Sequence, residues 1–194
     1  MFSSRYTSVS PRSSRHPIGG SSAEARPARE ATTTNGVNTF ATGTISLADN
    51  DSNGLLFSPA AMNPGDTLAR CIRVRYTGSI TTSNVRLYTT GESATNSLDQ
   101  YITIKIEQGT DATGGGPAFG NCTNFTPAVT LFNTASLQNL SLNKYDFATG
   151  LDTWQPVANN ETRDYRFTYT FSSSAPNSVM ASTAQVTFTW ESQV

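Results

Sequence analysis

One acidic loop has the residue types of a calcium ligand set. The segment DNDSNG at residues 49–54 matches the first half of the EF-hand pattern, in which alternate carboxylate and amide oxygens bind Ca²⁺. The twelfth position of that pattern requires a bidentate Glu and here holds Ala60. Asp and Asn side chains also hydrogen-bond their own backbone in tight turns. We therefore interpret the segment as a turn and keep Asp49, Asp51 and Asn53 as candidate calcium ligands.

The two cysteines, Cys71 and Cys122, are too far apart in sequence for a C-x-x-C redox or metal motif. Two thiols also cannot complete a four-ligand structural zinc site. The remaining interpretations of the two cysteines are a disulfide and a pair of buried thiols. The Asn-rich, Lys-poor composition resembles that of exported proteins and favours the disulfide, which would contribute about 4 kcal/mol in the chain-entropy model.

The residues required for common hydrolytic mechanisms are scarce. The only histidine, His16, lies in an Arg/Ser/Pro-rich opening segment, which excludes Ser-His-Asp catalysis and histidine-based zinc sites from the rest of the chain. Glycoside hydrolysis requires two acids facing one cleft. Asp146 with Asp152, or Glu161 with Asp164, would be such pairs, but their spacing does not distinguish them from surface acids. We predict that the chain is not an enzyme and binds no cofactor.

Two tryptophans have the side chain that stacks on sugar rings. Trp190 alternates with Phe188 and is therefore predicted to lie in the core. Trp154, within the segment GLDTWQP, has two interpretations. It is exposed, as in a glycan-binding site, or it closes one end of the fold.

The charge distribution excludes some classes of partner. Residues 1–30 carry five Arg and two Glu, whereas residues 31–194 carry eight basic and twelve acidic residues. A mildly acidic body without a basic stripe is not expected to bind nucleic acid. No apolar run approaches 18 residues, so no transmembrane helix is predicted.

The opening segment differs in composition from the rest. Residues 1–30 have no hydrophobic periodicity and almost no large apolar residues, which predicts disorder. They contain no apolar stretch of the kind found in a secretory signal peptide. An Arg/Ser/Pro/Ala mixture is also typical of off-frame translation of a GC-rich gene. A mis-called start is therefore an alternative interpretation.

From Phe40 onward, short alternating segments separated by turn residues predict strands. Ser and Thr together number 52, and Lys only two, a composition that favours strand over helix. Ser93–Gln100 is predicted to form a short helix, and residues 128–142 are ambiguous between strand and helical turns. The predicted strands include Thr42–Leu47, Thr67–Tyr76, Asn84–Thr89, Tyr101–Gln108, Thr162–Ser172 and Thr183–Gln193. Eight or so such strands without βαβ spacing predict an all-β antiparallel sandwich with one or two short helices over residues 31–194.

Several of these segments together resemble a known family. They are NTFATGTISLADNDS (38–52), MNPGDTLARCIRVRYTGS (62–79), NVRLY (84–88), LDQYITIKIEQGT (98–110) and TAQVTFTWESQ (183–193). Their order and spacing resemble the TasA and camelysin family of secreted bacterial proteins over about residues 35–194. The most specific elements are N-T-F-x-x-G-T and P-G-D-x-x-x-R-x-I-x-V-x-Y-x-G.

The resemblance implies a jelly-roll-like sandwich, export through a signal peptide and, for several members, biofilm matrix fibres. In the fibre-forming members the mature N-terminus adds a strand to the next subunit, which is β-augmentation at an open sheet edge. We therefore expect Thr32, Thr34, Val37 and Phe40 to belong to what remains of a donor strand. The family's signal peptide and its aromatic-plus-acid opening segment are not recognisable in residues 1–34.

The prediction that follows is a secreted or cell-surface structural protein that assembles with itself into a head-to-tail homopolymer, with other matrix proteins or glycans as further partners. A metallopeptidase label attached to the family receives no support here, because the matched region contains no histidine. One alternative is a monomeric extracellular adhesion or carbohydrate-binding module, which an exposed Trp154 would favour. Another is a calcium-dependent peptidase or hydrolase.

Overall fold

Alternation of apolar and polar side chains produces the central strands of the fold. The computed structural model describes residues 42–57, 62–111 and 116–194. In the strand Thr162–Phe171, Tyr165, Phe167, Tyr169 and Phe171 are buried on one face. The described part of the chain contains the strands β1 Leu47–Asp49, β2 Thr67–Tyr76, β3 Arg86–Ala94, β4 Ile102–Asp111, β5 Phe125–Ser136, β6 Leu151–Asp152, β7 Thr162–Phe171 and β8 Ala184–Glu191, the helix α1 Leu137–Asn143, and 3-10 turns at Leu98–Gln100 and Asn177–Val179.

The strands form two antiparallel sheets that pack as a sandwich, which confirms the predicted fold class. The first sheet has the order β1-β2-β7-β4-β5 and the second has the order β6-β3-β8. Rings from the two sheets meet in the core. The centroid of Phe167 on β7 is 4.7 Å from that of Phe188 on β8, and the centroid of Tyr165 is 5.3 Å from that of Trp190. Aromatic contacts of this kind add to the free energy of apolar burial.

The two sheets differ in their number of strands, and this difference leaves part of the inner face of the first sheet to be covered by other segments. Five strands in the first sheet face only three in the second. The second sheet therefore cannot cover the whole inner face of the first. The segment Leu55–Phe57 covers part of the remainder, since Arg70 Nε on β2 donates to the Leu56 carbonyl at 3.1 Å and the Phe57 ring lies 4.3 Å from that of Tyr169.

Several predicted element boundaries were wrong. The first strand is Leu47–Asp49 and not Thr42–Leu47, although the Ser46 carbonyl still accepts a hydrogen bond from the Thr77 N–H. Asn84–Thr89 is a strand only from Arg86, and β3 continues to Ala94 because a bulge lets the chain keep pairing with β8. The helix predicted at Ser93–Gln100 is therefore reduced to the 3-10 turn Leu98–Gln100.

The ambiguous stretch, residues 128–142, divides into the last nine residues of β5 and most of the helix α1. The helix begins after Ser136, whose side chain accepts a hydrogen bond from the Asn139 N–H, as expected of an N-cap serine. Its Leu137 and Leu140 are buried against the sandwich. Within the described residues, the helical segments are too short or too polar to cross a membrane.

Candidate functional site

The acidic loop is a turn, as predicted, and its carboxylates serve the backbone. The Asp49 side chain accepts a hydrogen bond from the Asp51 N–H at 3.1 Å, and that of Asp51 accepts one from the Asn53 N–H at 2.7 Å. Ser52 and Asn53 have positive φ angles of 52° and 65°, a conformation that Asn tolerates better than most residues. Partial burial raises the pKa of Asp49, opposed by its hydrogen bond from the Asp51 backbone.

The loop shows no ligand set for a metal ion. In residues 42–57, 62–111 and 116–194 there is no group of three or more Asp, Glu, His or Cys side chains arranged to hold one. The side chain of Asn50 instead fixes the loop to its surroundings. It donates to the Pro117 carbonyl at 2.8 Å and accepts from the Arg73 N–H at 2.9 Å. The pattern of the loop did not indicate this connection, because both partners are remote in sequence.

The structure contains the predicted disulfide between Cys71 and Cys122, with the two Cα atoms 5.2 Å apart. Cys71 lies on β2 and is completely buried. The Gly120 N–H donates to the Cys71 carbonyl at 2.7 Å, next to the bridge. Gly120 has a φ of 80°, and a Cβ added there would meet the Arg70 guanidinium at 2.7 Å. The bridge and this glycine together hold the segment that leads into β5 against the outer face of the first sheet.

Two sets of ion pairs lie on that outer face. Asp164 is buried and receives a bidentate pair of hydrogen bonds from Arg73, at 2.6 and 2.9 Å. Glu107 is also buried and binds Lys105 and Arg166, each at 2.7 Å. Burial alone would raise the pKa of Glu107, but the hydrogen bonds from these two cations lower it overall. Both carboxylates are therefore fully occupied in holding strands together.

The acids of the two pairs considered for hydrolysis bind other residues and not a common cleft. Asp146 accepts hydrogen bonds from the N–H and hydroxyl of Thr149, and these bonds lower its pKa. Asp152 pairs with Arg86 at 3.1 Å. Glu161 accepts from the Val157 and Ala158 N–H groups at 2.7 and 2.8 Å. These partners give each acid a structural role.

Trp154 lies in the core, which decides between its two predicted positions. Only 5% of the residue is exposed, and its ring centroid is 6.5 Å from that of Tyr165. The Arg163 guanidinium lies 5.6 Å from the Trp154 ring centroid. Trp190 also packs inward against Tyr165 and Phe167, as predicted. A buried Trp154 counts against stacking on a glycan at this position.

An apolar groove lies where the narrow sheet leaves the wide one uncovered. Its volume is about 390 Å³. One wall is formed by β8, including Val186 and Phe188, and the floor by Ile102 and Ile104 of β4 with Tyr169 of β7. The segment Leu55–Phe57 closes another side, and Leu55 is 69% exposed. The sequence did not indicate the groove, because it results from the unequal widths of the two sheets.

The wall strand β8 is also a sheet edge. Among the described residues it pairs with β3 on one side and with no strand on the other. Its inward side chains Val186, Phe188 and Trp190 are only half-buried. An unpaired edge with a partly covered apolar face is the geometry that a further strand would complete. The residues predicted to donate such a strand, Thr32, Thr34, Val37 and Phe40, lie outside the described residues.

Comparisons of the chain with protein-family models and with curated proteins give no match.

Proposed function

We propose that this protein is a secreted structural subunit of the TasA and camelysin type, which assembles into a cell-surface or biofilm matrix fibre by N-terminal strand donation. The open edge of β8 above an apolar groove is the observation that carries the proposal. A strand of a second copy, paired with β8, supplies both the missing backbone hydrogen bonds and apolar side chains for the groove.

The donor segment is residues 32–40 of the neighbouring subunit. It has the β-branched Thr32, Thr34 and Val37 and the aromatic Phe40, which are favoured in strands. One residue, Ala41, separates the segment from Thr42, the first described residue of the fold. A donor and an acceptor at different places on one subunit make a head-to-tail contact, which generates a filament when the rotation between subunits does not close.

Two further observations support a secreted, non-enzymatic protein. The Cys71–Cys122 disulfide is a type of bond that persists in oxidising compartments outside the cytosol. The acids considered for catalysis bind structural partners, including Arg73 for Asp164 and Arg86 for Asp152. The assembly of a fibre subunit would depend on backbone pairing, which requires a sheet edge and no catalytic side chain.

The test is negative-stain microscopy with light scattering on the full oxidised chain and matched variants. Leu55→Lys places a charge at the groove, and Leu142→Lys places one on α1, away from it. The two leucines are equally exposed, at 69% and 68%, so the substitutions have similar small effects on folding. A third variant, Val37→Asp with Phe40→Asp, changes the donor segment and leaves the groove intact.

We expect filaments from the wild type and from Leu142→Lys, and monomers from Leu55→Lys and from the donor variant. Mixing the two monomeric variants should restore one intact contact per pair and give dimers. A wild type that stays monomeric at every concentration would reject strand donation and favour the monomeric adhesion or carbohydrate-binding module. Filaments that form equally well from all variants would place the contact elsewhere on the molecule.

A further inference from the structure

The free backbone groups at the open edge of β8 can be identified from the hydrogen bonds of its neighbour β3. In an antiparallel ladder, successive residues direct their N–H and C=O groups alternately to one side and to the other. The Val85 N–H donates to the Trp154 carbonyl, and the Thr89 N–H donates to the Lys144 carbonyl, both on the side away from β8. The β3 residues that alternate with these and face β8 are therefore Arg86, Tyr88 and Thr90.

The register between the two strands extends this assignment to β8. The β8 residues opposite the three that face it are Glu191, Thr189 and Thr187. The alternate residues, Val186, Phe188 and Trp190, therefore direct their N–H and C=O groups to the open side. Within residues 42–57, 62–111 and 116–194, no loop supplies a backbone hydrogen bond to these three. Since directly opposed residues share a face, an added strand that binds them presents the opposing side chains to the groove side.

The apolar groove lies beside only the first part of β8. It borders Ala184, Val186 and Phe188. Trp190, further along the strand, packs its ring against Tyr165. An added strand can therefore place a large apolar side chain beside Val186, whereas the Trp190 ring leaves the least room for a neighbour. The edge is thus asymmetric along its length, and this asymmetry can select one direction of an incoming strand.

The donor segment of the proposed fibre, residues 32–40, has a matching distribution of side-chain sizes. Residues two apart in a strand share a face, so Phe40, Asn38 and Gly36 lie on one face and Thr39 and Val37 on the other. The first of these faces has a large apolar side chain at one end. Four residues earlier, at the glycine, it has no side chain at all. On β8, residues 186 and 190 are likewise four apart.

We propose that the strand donated by the neighbouring subunit runs antiparallel to β8 and places Phe40 opposite Val186, in the groove. Gly36 then lies opposite Trp190, so the residue without a side chain meets the largest ring of the edge. The inference rests on the proposed function and adds the direction and the register of the donated strand. Phe40 is the anchor that fills the groove.

A parallel strand over the same stretch of β8 does not give this fit. Both directions can share one centre, with Val37 opposite Thr189 on the outer face. In the parallel direction Phe40 then lies opposite Ser192, beyond the end of β8 and away from the groove. Thr34, a polar residue, takes the place beside the groove instead. Only the antiparallel direction brings the aromatic side chain of the donor segment to the apolar part of the edge.

Cysteine pairs introduced on the outer face of the full chain test the direction. Each double variant has one new cysteine in the donor segment and one on β8, so pairing of successive subunits gives a ladder of disulfide-linked oligomers on a non-reducing gel after air oxidation. Val37→Cys with Thr189→Cys lies at the centre common to both directions and reports strand donation itself. Thr39→Cys with Thr187→Cys joins an antiparallel strand, at a pair that exchanges no hydrogen bonds and whose side chains are therefore close. Thr39→Cys with Glu191→Cys joins a parallel strand.

We expect ladders from the first two double variants and none from the third. Variants with a single added cysteine control for random oxidation and should give dimers at most. A ladder from the central pair without one from Thr39→Cys with Thr187→Cys would overturn the direction and register and leave strand donation standing. The absence of a ladder from every variant would reject strand pairing at β8, and this inference with it.

Two matched serine substitutions in the donor segment give a second readout. Phe40→Ser removes the anchor, whereas Val37→Ser changes a residue on the outer face of the same strand. Phe40→Ser should raise the protein concentration at which filaments form by roughly tenfold or more, and Val37→Ser should change it by less than about twofold. Equal effects of the two substitutions, or a larger effect of Val37→Ser, would overturn the assignment of Phe40 to the groove.

Discussion

The two long edge strands, β5 and β8, differ in how they are protected against pairing with another chain. The edge strand β5 contains Pro127, which has no N–H to donate, and its register with β4 shifts at three places. The edge strand β8 contains no proline, lysine or arginine, and the bulge in its ladder lies on β3. Bulges and prolines are devices that keep an edge from pairing. The strand β5 has both a proline and register shifts along its ladder, and β8 has no proline and no bulge of its own. We therefore propose that β8 is the strand that accepts a strand of the partner.

The comparison extends to what lies behind each edge. The segment before β5 is fixed by the disulfide, and the outer face next to it carries the ion pairs of Asp164 and Glu107. The strand β8 has a groove of about 390 Å³ behind it and half-buried aromatic side chains. Covalent and ionic contacts consolidate β2, β7 and β4 of the first sheet, whereas the β8 edge of the second sheet retains apolar surface that a partner can cover. Each of the following predictions tests one side of this difference.

Removing the disulfide should have the largest effect and should act on the β5 side. Replacing Cys71 and Cys122 together by Ser should lower the free energy of unfolding by about 4 kcal/mol in the chain-entropy model. Amide hydrogen exchange should accelerate in the segment before β5 and in β5 itself, more than in β8. Urea unfolding followed by tryptophan fluorescence measures the first effect, and exchange mass spectrometry measures the second.

Reduced wild-type protein is the control for this substitution and should match the double variant. An unchanged unfolding midpoint would contradict the stabilising role of the bridge. Equal acceleration of exchange in β5 and β8 would contradict the prediction that the bridge stabilises mainly the β5 side.

The carboxylate of Glu107 should give a smaller, pH-dependent effect on the same side. Glu107→Gln leaves Lys105 and Arg166 without a charged partner, and both can still reach solvent. We expect a loss of about 1.5–3 kcal/mol at neutral pH, the range for hydrogen bonds to charged groups. The folded pKa is below the ordinary 4.5, so the wild-type advantage is full above that value and disappears as the pH falls through the folded pKa.

Urea unfolding of wild type and Glu107→Gln at a series of pH values measures this convergence. Curves that stay equally far apart down to the most acidic pH would show that packing, and not charge, causes the loss.

The central strands were predictable because alternation reports burial on one face. The face of Tyr165, Phe167 and Tyr169 was evident from period-two alternation alone, and the same pattern identified β4 and β8. The strand β5 was not identified clearly. Its residues Thr126 to Thr130 are exposed whichever way they point, so no apolar face marks the strand in the sequence.

The candidate site was predictable only in part, for a related reason. The disulfide and the acidic turn are determined by residue type, and both are present. The groove behind β8 depends on sheet order, because Ile102 and Tyr169 are ordinary core residues until the opposite sheet proves too narrow to cover them. Strand order brings together residues that are remote in sequence, so no local pattern reports it.

The smallest effect is expected at an exposed position of β5, and it gives the sharpest test of the difference between the edges. Val129 is 53% exposed, so Val129→Lys should change the free energy of unfolding by no more than about 0.5 kcal/mol and leave filament formation unchanged. Val186→Lys introduces the same side chain at the groove wall of β8 and should prevent filaments. Melting curves of both variants separate a failure to fold from a failure to assemble, since a folded Val186→Lys that remains monomeric localises the contact. If Val129→Lys abolishes filaments and a folded Val186→Lys does not, then β5 accepts the partner despite Pro127 and its bulges, and protection of the edge is not what selects the site of assembly.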